Sequence, residues 1–248
     1  KTILILGLLL MVTMGFAQNY SLEFDGVDDY CEIPHSSELS FVGEQQFTIE
    51  LFVKKTEINR YGSLIAKGLA GDPENSNYYF EFRSNNSVLF GWENNNGSNQ
   101  SISGGEILDF EWHHIAGCWS GQSQQLYIDG VLVASDDGCI VPNPSYNRDI
   151  QIGKDSDDAY SVSALLDNMV ISSIVKYSNS FTPQVHIQPD ENTVAYWNFN
   201  EGEGNVLQDL SGNGNDGTIY GATWSTDVPF TDIYGCTDPL ATNYNPDA

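Results

Sequence analysis

The chain has 248 residues and carries 34 Asp and Glu against 9 Lys and Arg, a formal net charge of −25. That balance excludes nucleic acid and anionic membrane surfaces as partners, because phosphate binding needs clustered Lys and Arg. Most of the carboxylates read as a solvated surface, and the closely spaced ones as candidates for a shared divalent cation.

Lys1 opens an apolar run over 3–14, followed by Gly15, Phe16 and Ala17. A basic start, a short apolar core and small residues before a cut after Ala17 predict a secretory signal peptide over 1–17. The run is shorter than the ~20 residues of a spanning helix, so no membrane insertion is expected. The protein is expected to be secreted, extracellular or at the cell surface. The roughly 230 residues that remain suffice for one large domain with a sizeable core.

Helical periodicity is almost absent, and short runs of two-residue alternation recur between Gly, Asn, Asp and Ser clusters. Strands are predicted over 20–24, 30–33, 47–54, 63–67, 78–83 and 88–92. The stretch 94–105, rich in Asn, Ser and Gly, reads as a long solvated loop. Strands resume over 112–120, 125–128, 131–135, 149–152, 164–174 and 193–199, with a weaker one at 218–220. Asp129-Gly130 is a two-residue hairpin signal, since both central positions of a type I′ turn need positive φ. Many strands and regular turns give an all-β sandwich or barrel. Of the cysteines, Cys118 and Cys139 flank this hairpin and form the foremost internal pair. Cys31 reads equally as a buried thiol or a bridge, and Cys236 looks for a partner outside the domain.

Three stretches carry a family resemblance. SLEFDGVDDY at 21–30 with Glu32, Ile33 and Pro34 resembles the opening strand pair of laminin G-like jelly rolls. EWHHIAG at 111–117 and QLYIDGVLVA at 125–134 are similar to that family's central hairpin, and IQIG at 150–153 leading to LLDNMVI at 165–171 to its closing strands. The resemblance implies a two-sheet antiparallel jelly-roll β-sandwich of the concanavalin A-like class, related to the pentraxins, over 18–230. In relatives a segment like VAYWNFNEGEG at 194–204 precedes the opening strands; here it follows the closing ones. Residues 193–224 are read as completing the same sandwich, the rival being the start of a second, truncated copy. The tail over 231–248 resembles the start of a Cys- and Asp/Asn-rich repeat of secreted bacterial proteins, which implies a longer multidomain chain; the plain reading is a linker.

Concanavalin A-like sandwiches include glycoside hydrolases, whose two carboxylates must face one cleft. In laminarinase-like relatives they sit together on one strand as Glu-x-Asp-x-Glu, a spacing no predicted strand here contains. Glu50 and Glu81 stand isolated among apolar neighbours. His113 and His114 are adjacent, so in a strand they face opposite sides and cannot share a metal; one half-buried and one exposed imidazole is expected. The chain is therefore read as non-catalytic, with glycoside hydrolase as the weakest reading.

Calcium is the expected cofactor, because flexible Asp/Asn/Gly loops supply its 6–8 oxygen ligands. By resemblance to the pentraxin loops, Asp72, Asn77, Asp155 and Asp157 would be ligands, with Asp158 beside them. The loop 209–217 offers Asp209, Asn213 and Asp216, joined by Asp25 or Asp28. Each loop reads also as an ordinary turn. For a carbohydrate, Tyr61, Tyr78, Trp92, Tyr146 and Tyr160 are the candidate platforms, with amides from 94–99 beside Trp92. An extracellular protein partner fits the same rim, and a structural spacer of a large adhesive protein is the alternative function.

Overall fold

In the computed structural model, which describes residues 19–68, 77–94, 98–142, 147–155, 160–184 and 187–230, the alternating runs become β-strands. In chain order these are β1 (Ser21–Asp25), β2 (Tyr30–Ile33), β3 (Phe47–Lys55), β4 (Gly62–Lys67), β5 (Tyr78–Phe82), β6 (Ser87–Glu93), β7 (Asn99–Glu106) and β8 (Trp112–Trp119). They continue with β9 (Gln124–Ile128), β10 (Val131–Asp136), β11 (Ile150–Ile152), β12 (Ser163–Ser172), β13 (Thr193–Trp197), β14 (Val206–Leu207), β15 (Gly217–Tyr220) and β16 (Thr223–Ser225). Among the described residues the only helical element is a short 3-10 turn, Ser37–Leu39.

The strands form two antiparallel sheets. One runs β10-β9-β8-β3-β12-β1-β16, with β13 also on β12; the other runs β14-β15-β2-β11-β4-β5-β6-β7. The far edge of β12 is shared: β1 pairs with 163–166 and β13 with 169–172. The C-terminal strands close against the N-terminal ones, β16 on β1 and β15 on β2. Asp129 and Gly130 take φ 50° and 73°, the I′ geometry expected of the hairpin.

Alternate residues of both inner faces fill the space between the sheets. Leu22, Phe24, Leu51, Phe90, Trp119 and Trp197 are fully buried there. Trp92 lies 4.9 Å from Trp119 between ring centroids and donates its indole N–H to the Ile140 carbonyl at 2.7 Å. The outer face of β3, β8 and β9 is covered too. Val175, Tyr177 and Phe181 pack over Ala116, Cys118 and Tyr127, and the Phe181 N–H reaches the Gly130 carbonyl at 2.9 Å.

Beneath this strap lies a polar anchor. Glu50 on β3 accepts from Tyr177 Oη at 2.6 Å, meets His114 Nε2 at 3.1 Å, and pairs with Lys176. Burial alone would push the Glu50 carboxyl up, but His114 and Lys176 overcome it and hold the group at about 2. Glu50 is thus not isolated, and His114 is the buried imidazole of its pair. One half-buried and one exposed imidazole were expected; instead neither is exposed, and the half-buried His113 is clamped between Asp109 and Asp129 at 2.9 and 2.7 Å.

Two further expectations are corrected. The region expected to be a long loop carries β7, which pairs with β6 along its length. Its polar composition hides a close approach: a Cβ on Gly105, at φ +62°, would stand 2.4 Å from Ile128 Cδ1. Cys118 and Cys139 are both free thiols. Cys118 sits on the outer face under the strap beside Thr48, whereas Cys139 packs against the inter-sheet core with its thiol on the Asp136 carbonyl. Cys31 is buried and free. Cys236 lies outside the described residues.

Candidate ligand-binding rim

The loops after β1, β3, β5 and β11 meet at one end of the sandwich. Asp25, Asp28 and Asp29 come from the first, and their carboxylate oxygens lie within 4.8 Å of one another. Local sequence dictates the turn: Asp25 Oδ1 accepts the Val27 N–H at 2.7 Å, Asp29 Oδ2 accepts the Asp25 N–H at 2.9 Å, and Gly26 takes φ +78°. Burial, and then the carboxylates of Asp25 and Asp28, push the Asp29 carboxyl up, against the pull of the Asp25 N–H. Neighbouring loops hold the turn in place. Arg60 donates to the Gly26 carbonyl, and Ser161 Oγ donates to the Val27 carbonyl at 3.0 Å.

The residues next in chain to those two clamps are Tyr61 and Tyr160. Their rings lie 4.4 Å apart, and Tyr160 is 43% exposed. The Arg83 guanidinium caps Tyr61 at 5.1 Å from the ring centroid and reaches Glu81 at 3.6 Å. Burial pushes the Glu81 carboxyl up, with Tyr61 and Arg83 pulling it back and Asp155 adding to the rise. Burial and the nearby Glu81 likewise push the Tyr61 phenol up. A trio of carboxylates, two adjacent tyrosines and an ion pair thus share one rim, an arrangement able to take a cation, stack a ring and donate hydrogen bonds.

The other candidates fall elsewhere. Tyr78 and Trp92 are fully buried, so neither ring offers a face to a ligand; their aromatic mass serves the core. Asn77 is buried too, its amide bridging the N–H and carbonyl of Phe41 at 2.9 and 2.6 Å, so it fastens a loop instead of facing a cation. Asp155 is buried beside Glu81. Asp72, Tyr146, Asp157 and Asp158 lie outside the described residues.

In the loop 209–217 the acids hold their own turn. The Asp209 carboxylate accepts from the N–H groups of Tyr196, Ser211 and Asn215 and from Ser211 Oγ, at 2.8–3.0 Å, which occupies all of its roughly four acceptor sites. Asp216 accepts the Asp209 N–H at 2.8 Å, and Asn213 donates to the carbonyls of Thr193 and Val194. Asp25 and Asp28 gather with Asp29, not with this loop. Asp29 lacked a distinguishing signal in sequence beyond its place in the acidic run.

Two antiparallel sheets closed into a jelly roll, with loops gathered at one rim, define a concanavalin A-like domain. Over residues 25–180, more than half of the chain, it matches the laminin G-type family described as the concanavalin A-like lectin/glucanases superfamily, and the chain belongs to that family. A candidate carbohydrate-binding protein from Bacteroides ovatus has the same fold at a TM-score of 0.63 and 14% identity, over 87% of this chain and 62% of that one. The chain therefore spans about three fifths of that protein's length. The CBM40 of Ruminococcus gnavus IT-sialidase aligns at a TM-score of 0.52 and 15% identity, over 64% of this chain and 92% of that one. The SAP-like pentraxin of Limulus polyphemus is similar at 16% identity, over 66% of this chain and 80% of that one, with a TM-score of 0.48. No curated protein matches the chain.

Proposed function

We propose that this chain is a secreted, non-catalytic recognition module that binds carbohydrate at the Tyr61–Tyr160 rim, with calcium held by Asp25, Asp28 and Asp29. The observation that carries this reading is the half-buried Tyr61 in contact with the exposed Tyr160, the two tied through Arg60 and Ser161 to the loop bearing the carboxylates. Tyrosine rings stack on the C–H face of a sugar, while Arg83 and the acids supply donors and acceptors at its edge. A divalent cation would relieve the crowding of three carboxylates and stiffen the loop beneath the platform. Support also comes from two structures of like fold, one named as a candidate carbohydrate-binding protein and the other as a CBM40.

A glycan array probed with the full chain, in calcium and then in chelator, tests the reading. Binding that the Tyr61→Ala/Tyr160→Ala double variant abolishes supports it. Silence across the array with a folded protein overturns it.

A further inference from the structure

The edge of β12 changes partner from β1 to β13, and between the two pairings residues 167 and 168 have no strand on that side. The opposite edge is irregular there as well, since the register against β3 shifts between Asp167 and Val170. Asn168 takes φ +48°, a conformation Asn tolerates better than most side chains. The chain entering β1 and the chain leaving β13 diverge at this seam. The gap is a cavity of about 350 Å³, within the ~300–1,000 Å³ of small-molecule sites.

Its polar lining is Asp167, Tyr196 and the amides of Asn19, Asn168, Gln188, Asn198 and Asn200. Asp167 is only 3% exposed, and its Oδ1 has no hydrogen-bond partner among the described residues. A buried acceptor left unmet is costly and uncommon in a native fold, which makes this one a pointer to a missing partner. The surrounding amides are already oriented. Asn200 Oδ1 accepts the Tyr20 N–H at 2.7 Å, Asn198 Oδ1 accepts the Asn200 N–H at 3.2 Å, and Asn168 Oδ1 accepts from Tyr196 Oη at 2.8 Å. Each of these three amides is thus held in place by the protein and keeps both donor and acceptor capacity to spare. Leu210 and Phe230 add apolar wall, and Phe230 is fixed edge-on against Phe52 at 4.7 Å.

We propose that this seam is a second carbohydrate site, built for a neutral saccharide and separate from the Tyr61–Tyr160 rim. A buried carboxyl with one unmet oxygen, set among amides, matches adjacent hydroxyls, each of which can donate to one group and accept from another. One carboxyl among neutral amides is a poor ligand set for a divalent cation, and the space far exceeds what one cation fills. No Lys or Arg lines the cavity, so an anionic sugar would find no countercharge there. Leu210 and Phe230 offer the apolar contact that a sugar's C–H face requires. The inference shares with the proposed function only its ligand chemistry, and its site needs no calcium.

The test is calorimetric titration of the full chain, in chelator, with the methyl glycosides of glucose, galactose and mannose and with maltose, lactose and cellobiose. At least one is expected to bind. Asp167→Asn, which keeps the size of the side chain, and Asn198→Ala should each weaken it about ten- to a hundredfold. The Tyr61→Ala/Tyr160→Ala variant should bind it unchanged. Melting curves of the variants confirm that each is folded. Binding that survives Asp167→Asn, or no binding by any of these probes, overturns the second site. Binding lost with the tyrosine pair alone also overturns it, while leaving the proposed function standing. Thermal stabilisation by calcium that Asp167→Asn removes and Asp28→Asn keeps would make the cavity a cation site and sink the saccharide assignment.

Discussion

Glu50→Gln removes one charge from the anchor beneath the strap while keeping its shape. The buried carboxyl is held at about 2 from an ordinary 4.5, because His114 and Lys176 outweigh the cost of burial. A shift of some 2.5 units corresponds to about 3 kcal/mol of stabilisation. Lys176 is partly exposed, at 28% of its side chain, so solvent screening trims this to about 2–3 kcal/mol. The folded value lies below the unfolded one, so the contribution is complete above about pH 4.5 and is lost as pH falls through about 2. Urea unfolding followed by tryptophan fluorescence should find the variant about 2–3 kcal/mol less stable near pH 7, with the gap closing as pH drops from about 4.5 towards 2. A variant within about 0.5 kcal/mol of the parent at neutral pH, or a gap that stays constant down to about pH 2.5, would refute the reasoning.

Asp167 should behave in the opposite sense. Burial pushes its carboxyl up to about 8, with only the Asn168 backbone pulling back. Its folded value is the higher one, so stability falls as pH rises from about 4 to about 8, by up to roughly 5 kcal/mol, and Asp167→Asn should flatten that fall in pH-dependent urea melts. A variant profile parallel to the parent's would contradict it. Calcium should raise the melting temperature of the parent chain in scanning calorimetry and leave Asp28→Asn unmoved, since an ion bound only by the folded state stabilises it by mass action; equal melts in calcium and chelator would remove the cation from the rim. Gly105→Ala forces a Cβ against Ile128 at φ +62° and should cost about 1–3 kcal/mol in denaturant melts.

Alternation and turn chemistry made most of the sandwich legible in the sequence, because half-buried strands must place apolar side chains at every second position. Asp129-Gly130 is the clearest case: the dipeptide dictates its own φ angles, and the hairpin follows. β7 was hidden for the converse reason. Its polar residues include Gly104, packed against the Val133 carbonyl, and Gly105, so the strand exists through pairing and close approach, with few apolar side chains of its own. Burial decided the aromatics. Tyr78 is the same residue type as Tyr61 and Tyr160, and only its place in β5, not in a loop, puts it in the core. Acidic loops were equally ambiguous, since a carboxylate that closes a turn and one that binds a cation have the same sequence signature. Asp209 spends its lone pairs on backbone N–H groups, whereas Asp25, Asp28 and Asp29 converge. The Asp167 seam depends on where β1 ends and β13 begins along β12, a long-range register that no local motif encodes.

Calorimetric titration of the leading array glycan into the parent chain and into the Tyr61→Ala/Tyr160→Ala variant, both in calcium, tests the central claim most directly. Loss of two stacking rings should weaken binding by at least about tenfold, with chelator weakening the parent in the same direction. Equal affinity of parent and variant for that glycan would contradict the assignment of the rim.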